Sequence, residues 1–134
     1  MDLLEEIIWY LAKQGVIDGL NKDAFADHLP DTPEKVVALH EYSGLGPISE
    51  AEGAVRSVQV WVRASRDNPE WGKKKCSEIF KLFVGNHRVI DERDGSGRGL
   101  WGVFKPFQNP HRVKIDENGR SIYGFNMLVG TGND

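Results

Sequence analysis

Residues Val55-Arg56-Ser57-Val58-Gln59-Val60-Trp61-Val62-Arg63 nearly alternate between two kinds of side chain. Successive side chains of a strand point to opposite faces, so this stretch reads as a half-buried strand. Val58, Val60 and Val62 belong to one face, and Ser57, Gln59, Trp61 and Arg63 to the other. A helix start follows almost at once in Asn68-Pro69-Glu70: a capping side chain, a proline at the first helical position, and an acid near the positive end of the dipole. The helix is expected to run to about Val84 and stop at Gly85. Its inner face comprises Gly72, Cys76, Ile79 or Phe80, and Phe83, with Lys73, Lys74 and Lys75 largely outside. Small Gly72 and Cys76 permit a close approach to the sheet. If helices cover only the valine face, Trp61 lies on the uncovered side and needs another cover, for which a neighbouring subunit is one candidate.

The rest of the chain fits around this unit. Leu3, Leu4, Ile7, Ile8 and Leu11 recur at the spacing of one helical face, so residues 2–14 read as an amphipathic helix. Asp2 and Glu5 have the form of a capping box, and Gly15 is placed to end the helix. Trp9 and Tyr10 lie off the stripe, at the border of the core or against a partner. A loop and short strand are expected within Gly19–His28, then a turn at Leu29-Pro30-Asp31-Thr32-Pro33. Val36–Tyr42 reads as a strand, broken by Ser43-Gly44-Leu45-Gly46-Pro47, with a polar connection at Ser49–Gly53. Beyond the second helix come a short strand in Arg88–Asp94, a turn through Gly99, and a strand over Leu100–Phe107. Asp116-Glu117-Asn118-Gly119-Arg120 is a hairpin-type turn, Ser121–Val129 the last strand, and Gly130–Asp134 a loose tail. The order helix, strands, helix, strands predicts an α+β fold: a mostly antiparallel β-sheet with two α-helices packed on one face, in a single domain over 1–134.

Composition limits the classes of function. A chain of 134 residues corresponds to one domain and hides about two thirds of its unfolded surface. A formal charge of −3 disfavours a nonspecific nucleic-acid binder working through overall charge. The single Cys76 excludes an internal disulfide framework and a cysteine-clustered zinc site. No apolar run approaches a membrane span, and the acids within Leu3–Leu11 and the missing basic leader make a poor signal peptide. The chain is therefore expected to be made, and to fold, in a cytoplasm. Charge is uneven along it. Residues 1–67 carry 12 acids and 6 bases, net −6, and residues 68–134 carry 8 acids and 11 bases, net +3. Opposite charge at two ends of a surface suits head-to-tail contact between copies. The simpler expectation is that sequence halves do not map onto surface halves.

A search for catalytic chemistry finds little. The histidines at 28, 40, 87 and 111 have no His or Cys neighbour at ligand spacing, so no metal site is expected. Asp27-His28 lacks a nucleophile motif, and adjacent strand residues point opposite ways. Cys76 sits beside three lysines, yet its place on the apolar face makes it a small core residue. Gly95-Ser96-Gly97-Arg98-Gly99 is too short for a dinucleotide fingerprint and lacks the Lys and Ser or Thr of a phosphate loop. Asp91, Glu92 and Asp94 alternate with Arg88, Arg93 and Arg98, which suits a solvated mixed-charge loop better than a metal cluster. Lys73, Lys74, Lys75, Lys81, Arg88, Arg93 and Arg98 form a basic set: one or two of the lysines joined to the arginine loop would make a patch touching phosphates, although a solvated helix face is the simpler reading and no stacking platform accompanies it.

Three segments in order resemble phage minor capsid and tail-terminator proteins. Leu29-Pro30-Asp31-Thr32-Pro33 into Val36–Tyr42 and Gly44 is similar to the opening of that family. Val58–Arg63 leading into a helix with Cys76 and Ile79 resembles its central strand-to-helix unit. Pro106-Phe107 through Asp116–Arg120 to Tyr123, Asn126 and Val129 resembles its closing hairpin. With the N-terminal helix the resemblance spans nearly the whole chain, departing at Ser43-Gly44, where the family has a glycine pair, and in the long loop Asp91–Gly99. It implies a structural virion protein of the head–tail junction, with no enzymatic activity and no cofactor. The protein would form a ring, hexameric by the resemblance, that caps the tail tube, stops its polymerisation and joins the tail to the head connector. Partners would be further copies, the tail-tube protein and a head-completion protein, with DNA passing through and no membrane. Lys73, Lys74, Lys75, Arg88, Arg93, Arg98 and Trp61 are the candidate subunit-interface or DNA-facing residues. A nucleic-acid-binding module using the basic set, another head-completion protein, and a small cytoplasmic enzyme with a deep pocket are the alternatives.

Overall fold

The computed structural model describes residues 2–42, 54–85 and 88–132. Its elements are α1 (Leu3–Lys13), β1 (Ala24–Ala26), β2 (Val36–Tyr42), β3 (Ala54–Arg63), α2 (Pro69–Phe83), β4 (Arg88–Asp91), β5 (Trp101–Pro106), β6 (His111–Ile115) and β7 (Ser121–Gly132). The strands form one sheet in the order β1-β2-β3-β7-β5-β4, with β6 also paired to β7. β1 runs parallel to β2, and the other pairings are antiparallel. β7 is the spine. One edge pairs with β3 along nearly its full length, while the other takes β6 near Tyr123 and β5 near Val129.

Residues 1–67 supply β1, β2 and β3, and residues 68–134 supply β7, β5, β4 and β6, because each half pairs first with its sequence neighbours and only β7 crosses back to join them. The two halves are nevertheless mixed outside the sheet: α1 brings Lys13 to Glu92 and Glu6 to the recess that Arg98 lines, and Asp31 pairs with Arg120.

Both helices lie on the valine face. Asp2 Oδ1 accepts the Glu5 N–H at 2.9 Å and Glu5 Oε1 accepts the Asp2 N–H at 3.5 Å, completing the capping box of α1. Leu3, Leu4, Ile7, Ile8 and Leu11 are buried, and Gly15 leaves the helix with a φ of 80°. Tyr10 packs on Phe83 in the core, whereas Trp9 remains 42% exposed. In α2, Asn68 Oδ1 accepts the Trp71 N–H at 3.3 Å, and Gly72, Cys76, Ile79 and Phe83 are buried as the spacing predicts. Phe80 is half-buried, edge-on to Phe125. A Cβ at Gly72 would stand 2.9 Å from Ala64 Cβ and 3.1 Å from the Tyr123 ring, so the close approach of helix and sheet is real. These side chains meet Val37, Leu39, Val58, Val60, Val62, Phe104, Phe125, Met127 and Val129 in one apolar cluster. Each fully buried aliphatic or aromatic side chain contributes about 1.5–3 kcal/mol, so this layer drives folding.

Three details differ from the expected elements. Gly130 is not in a loose tail: β7 continues to Gly132, and Gly130 pairs with Val55 on one side and Val103 on the other. Ladder bonds on both edges hold it. β4 stops at Asp91 rather than Asp94, because Gly97 and Gly99 take φ values of 84° and 124° and turn the hairpin out of register. A Cβ at Gly99 would run into the Glu92 carbonyl oxygen, so only glycine fits there. β6, to which the pattern assigned no strand, pairs with β7 across a register shift between Arg112 and Lys114. The breaker at Ser43–Pro47, the connection Ser49–Gly53 and His87 lie outside the described residues.

Candidate assembly surfaces

The basic candidates do not converge. Lys73 and Lys74 are exposed on α2, as is Lys81, but Lys75 turns inward. Its Nζ donates to the Val16 carbonyl and to Glu78 Oε1, both at 2.8 Å, and lies 5.9 Å from the Trp71 ring centroid. Arg88 opens β4, with Nε donating to the Leu82 carbonyl at 3.4 Å. Arg93 makes a two-pronged pair with Asp91, at 2.8 and 2.7 Å, and its guanidinium lies 5.4 Å from the Trp101 ring centroid. That pairing holds the Asp91 carboxyl at about 2. Arg98 lines a recess of about 700 Å³ with Glu6, Trp9, Glu92, Asp94, Gly97 and Gly99. Lys73 lines another, of about 390 Å³, with Glu70, Ser77, Pro110, His111, Arg112 and Tyr123. Arg112 is in register with Tyr123 and Val103 with Gly130, seven residues along β7, or roughly 23 Å at 3.3 Å each. The set is thus divided between two ends of the sheet.

Trp61 lies on the face opposite the helices, as the alternation predicts, and the chain itself supplies part of its cover. His40 meets it edge-on at 5.2 Å, Lys114 Nζ lies 5.1 Å from its ring centroid, and the Val113 side chain sits beside Gly124, its register partner. β6 brings in both Lys114 and Val113. Three buried polar atoms on this face, His40 Nε2, Trp61 Nε1 and Asn126 Oδ1, have no hydrogen-bond partner among the described residues. Gln59 stands between His40 and Asn126 in the register. Burial lowers the pKa of His40, which keeps its imidazole neutral. Val89, farther along the face on β4, is 56% exposed.

Two buried arginines were not legible as such. Arg63 shares the Trp61 face but is only 2% exposed. The loop before β2 folds over it: Nε donates to Glu34 O at 2.9 Å, and Nη2 donates to Asp31 O at 3.1 Å and to Pro33 O at 2.7 Å. Burial, then the neighbouring Arg120 cation, lower its pKa. Arg120 holds the same loop from β7's side, with Nη2 on Asp31 Oδ1 and Nε on Asp116 Oδ2, each at 2.8 Å. Burial opposes its charge, but the carboxylates of Asp31 and Asp116 outweigh that and raise its pKa. The pair fixes the crossover between β1 and β2. The signal available in the sequence was the arginine at the last position of an otherwise regular strand.

A family model described as bacteriophage tail terminator protein matches residues 10–130, from the middle of α1 almost to the end of β7. The chain belongs to the bacteriophage tail terminator family. Neither the curated proteins nor the solved structures searched yield a match. As a tail terminator the protein is a component of the phage virion, and no helix among the described residues is long and apolar enough to cross a membrane. In this tail terminator Cys76 is wholly buried and burial pushes its thiol up to about 12, so it packs as a small apolar residue. The described residues include no group of three or more His, Cys, Asp or Glu able to hold a metal ion. Asp27 is exposed, and His28 turns its ring edge-on to Phe25.

Proposed function

We propose that this tail terminator is a structural ring subunit at the head-proximal end of the tail, performing no reaction. Copies close a ring, six by the resemblance, on the last turn of the tail tube. The ring blocks addition of further tube subunits and presents its free side to the head connector, and DNA passes through it. The family match over residues 10–130 carries this reading. A nucleic-acid-binding module would need the basic set in one place, and its division between two ends favours the ring.

The test is tube growth. Purified tail-tube protein is polymerised with and without this chain, and tube lengths and end views are recorded by electron microscopy. The expected result is tubes that stop growing on addition, each with a ring at one end. Tubes that lengthen at the same rate with bare ends would overturn the reading.

A further inference from the structure

One recess gathers donor groups from three elements. Glu70, Lys73 and Ser77 follow at three- and four-residue spacing on α2 and so share a helix face. Gly72 lets that helix close on the Tyr123 ring of β7, and the recess of about 390 Å³ opens where the two meet β6. The register shift between Arg112 and Lys114 makes β6 serve both faces of the sheet. Val113 and Lys114 lie beside Gly124 and Trp61, whereas Arg112 lines the recess with Lys73. Four side-chain groups there donate hydrogen bonds: the Lys73 ammonium, the Arg112 guanidinium, and the hydroxyls of Ser77 and Tyr123. None of the four has a hydrogen-bond or ion-pair partner among the described residues. Elsewhere the fold spends such groups on itself: Lys75 and Arg120 each bind both a carbonyl and a carboxylate, and Arg63 binds three carbonyls. Glu70 is the one acid lining the recess and is itself unpaired among the described residues, so Lys73 and Arg112 leave a net charge of +1.

We propose that this recess binds a phosphate group, held by Lys73 and Arg112 and hydrogen-bonded by Ser77 and Tyr123. The donor set selects the ligand. Arg112 presents a planar fork that matches two oxygens of an oxyanion, and Lys73 adds a compact charge. A carboxylate has only two oxygens, both in one plane, and leaves the two hydroxyls unused. A phosphate group spreads four oxygens over a tetrahedron, enough for all four donors. Glu70 sets the strength rather than the choice, because its carboxylate opposes any anion in the recess. Free phosphate and the phosphodiester of a nucleic-acid strand offer the same tetrahedron of oxygens and differ in what lies beyond it. This assignment goes beyond the ring-subunit reading and does not depend on it.

Titration of the isotope-labelled full chain with sodium phosphate at constant ionic strength, followed through its amide resonances, tests this. Wild type is expected to saturate below about 10 mM, with the largest shifts at residues 73, 77, 112 and 123. K73A/R112A should weaken binding by at least about tenfold, and Glu70→Gln should tighten it about threefold by removing the opposing charge. K74A/K81A takes the same charge from exposed positions of α2 outside the recess and should leave the affinity unchanged. Equal weakening by both double variants, or equal shifts with sodium acetate, would overturn the proposal. Anisotropy of a labelled DNA duplex at 50 mM NaCl identifies the source. Duplex binding that K73A/R112A weakens and K74A/K81A does not assigns the phosphodiester, and phosphate binding without it assigns the free ion. Thermal melts matching wild type show that each variant is folded. If neither phosphate nor duplex binding depends on Lys73 and Arg112, the assignment is overturned, and the ring reading stands or falls separately on tube capping.

Discussion

Arg63→Met should cost the protein about 3 kcal/mol of stability. Arg63 spends three charge-assisted hydrogen bonds on the carbonyls of Asp31, Pro33 and Glu34, at 2.7–3.1 Å in a site closed to solvent. At roughly 1.5 kcal/mol net for each bond to a charged group, their loss amounts to about 4.5 kcal/mol. Methionine returns roughly 1.5 kcal/mol, because its apolar chain fills the site without desolvating a cation. With a urea dependence of about 1.5 kcal/mol per molar, the unfolding midpoint should fall by about 2 M. Arg63→Lys separates charge from geometry. It keeps the cation but reaches fewer carbonyls, and should fall between the two. Amide exchange supplies the local readout: protection across residues 31–36 should drop more than protection in α1. A methionine variant within about 0.5 kcal/mol of wild type would refute the reasoning. So would a destabilised variant whose loop amides keep their protection.

Three further outcomes are expected. Gly72→Ala should destabilise by about 1–2 kcal/mol in urea unfolding, since the overpacking of a Cβ 2.9 Å from Ala64 Cβ exceeds the gain of roughly 1 kcal/mol in helix propensity. Cys76 should resist thiol reagents in the native state at pH 8. Its folded pKa of about 12 lies above the unfolded value near 8.5, so stability is full below that value and declines as pH rises from it towards 12; Cys76→Ala, followed by alkaline unfolding curves, should flatten the decline. His40 behaves in the opposite sense. Burial sets its folded pKa below the unfolded value near 6.5, so the stability it contributes is present above that value and is lost as pH falls through the folded pKa; His40→Gln should flatten this acid limb in unfolding curves between pH 7 and pH 4.

The helices and the core-facing strands were readable because local chemistry and tertiary demand agree in them. The Asp2–Glu5 box, the Asn68-Pro69-Glu70 start and the Val58, Val60, Val62 row each state their structure within a few residues. β6 was not readable, since His111–Ile115 is exposed along most of its length and carries no alternation; it is a strand because β7 lends it a ladder. The extension of β7 through Gly130 depends in the same way on partners more than 25 residues distant. The candidate surfaces divide similarly. Alternation placed Trp61 on the face away from the helices, but nothing local showed that Lys114 and Val113 would return to lie beside it. Three consecutive lysines gave no sign that Lys75 would turn inward to the Val16 carbonyl, a contact 59 residues away in the chain.

The spine strand has a consequence for biogenesis. β7 joins β3 on one side to β5 and β6 on the other, yet Ser121–Gly132 follows every other element in the chain. Until the ribosome has delivered it, the nascent polypeptide holds two fragments, β1-β2-β3 and the β4–β5 hairpin, with no backbone pairing between them. Their unsatisfied margins are then open to wrong neighbours. A copy whose translation halts early therefore lacks the one strand that joins its two fragments and leaves their edges open to aggregation.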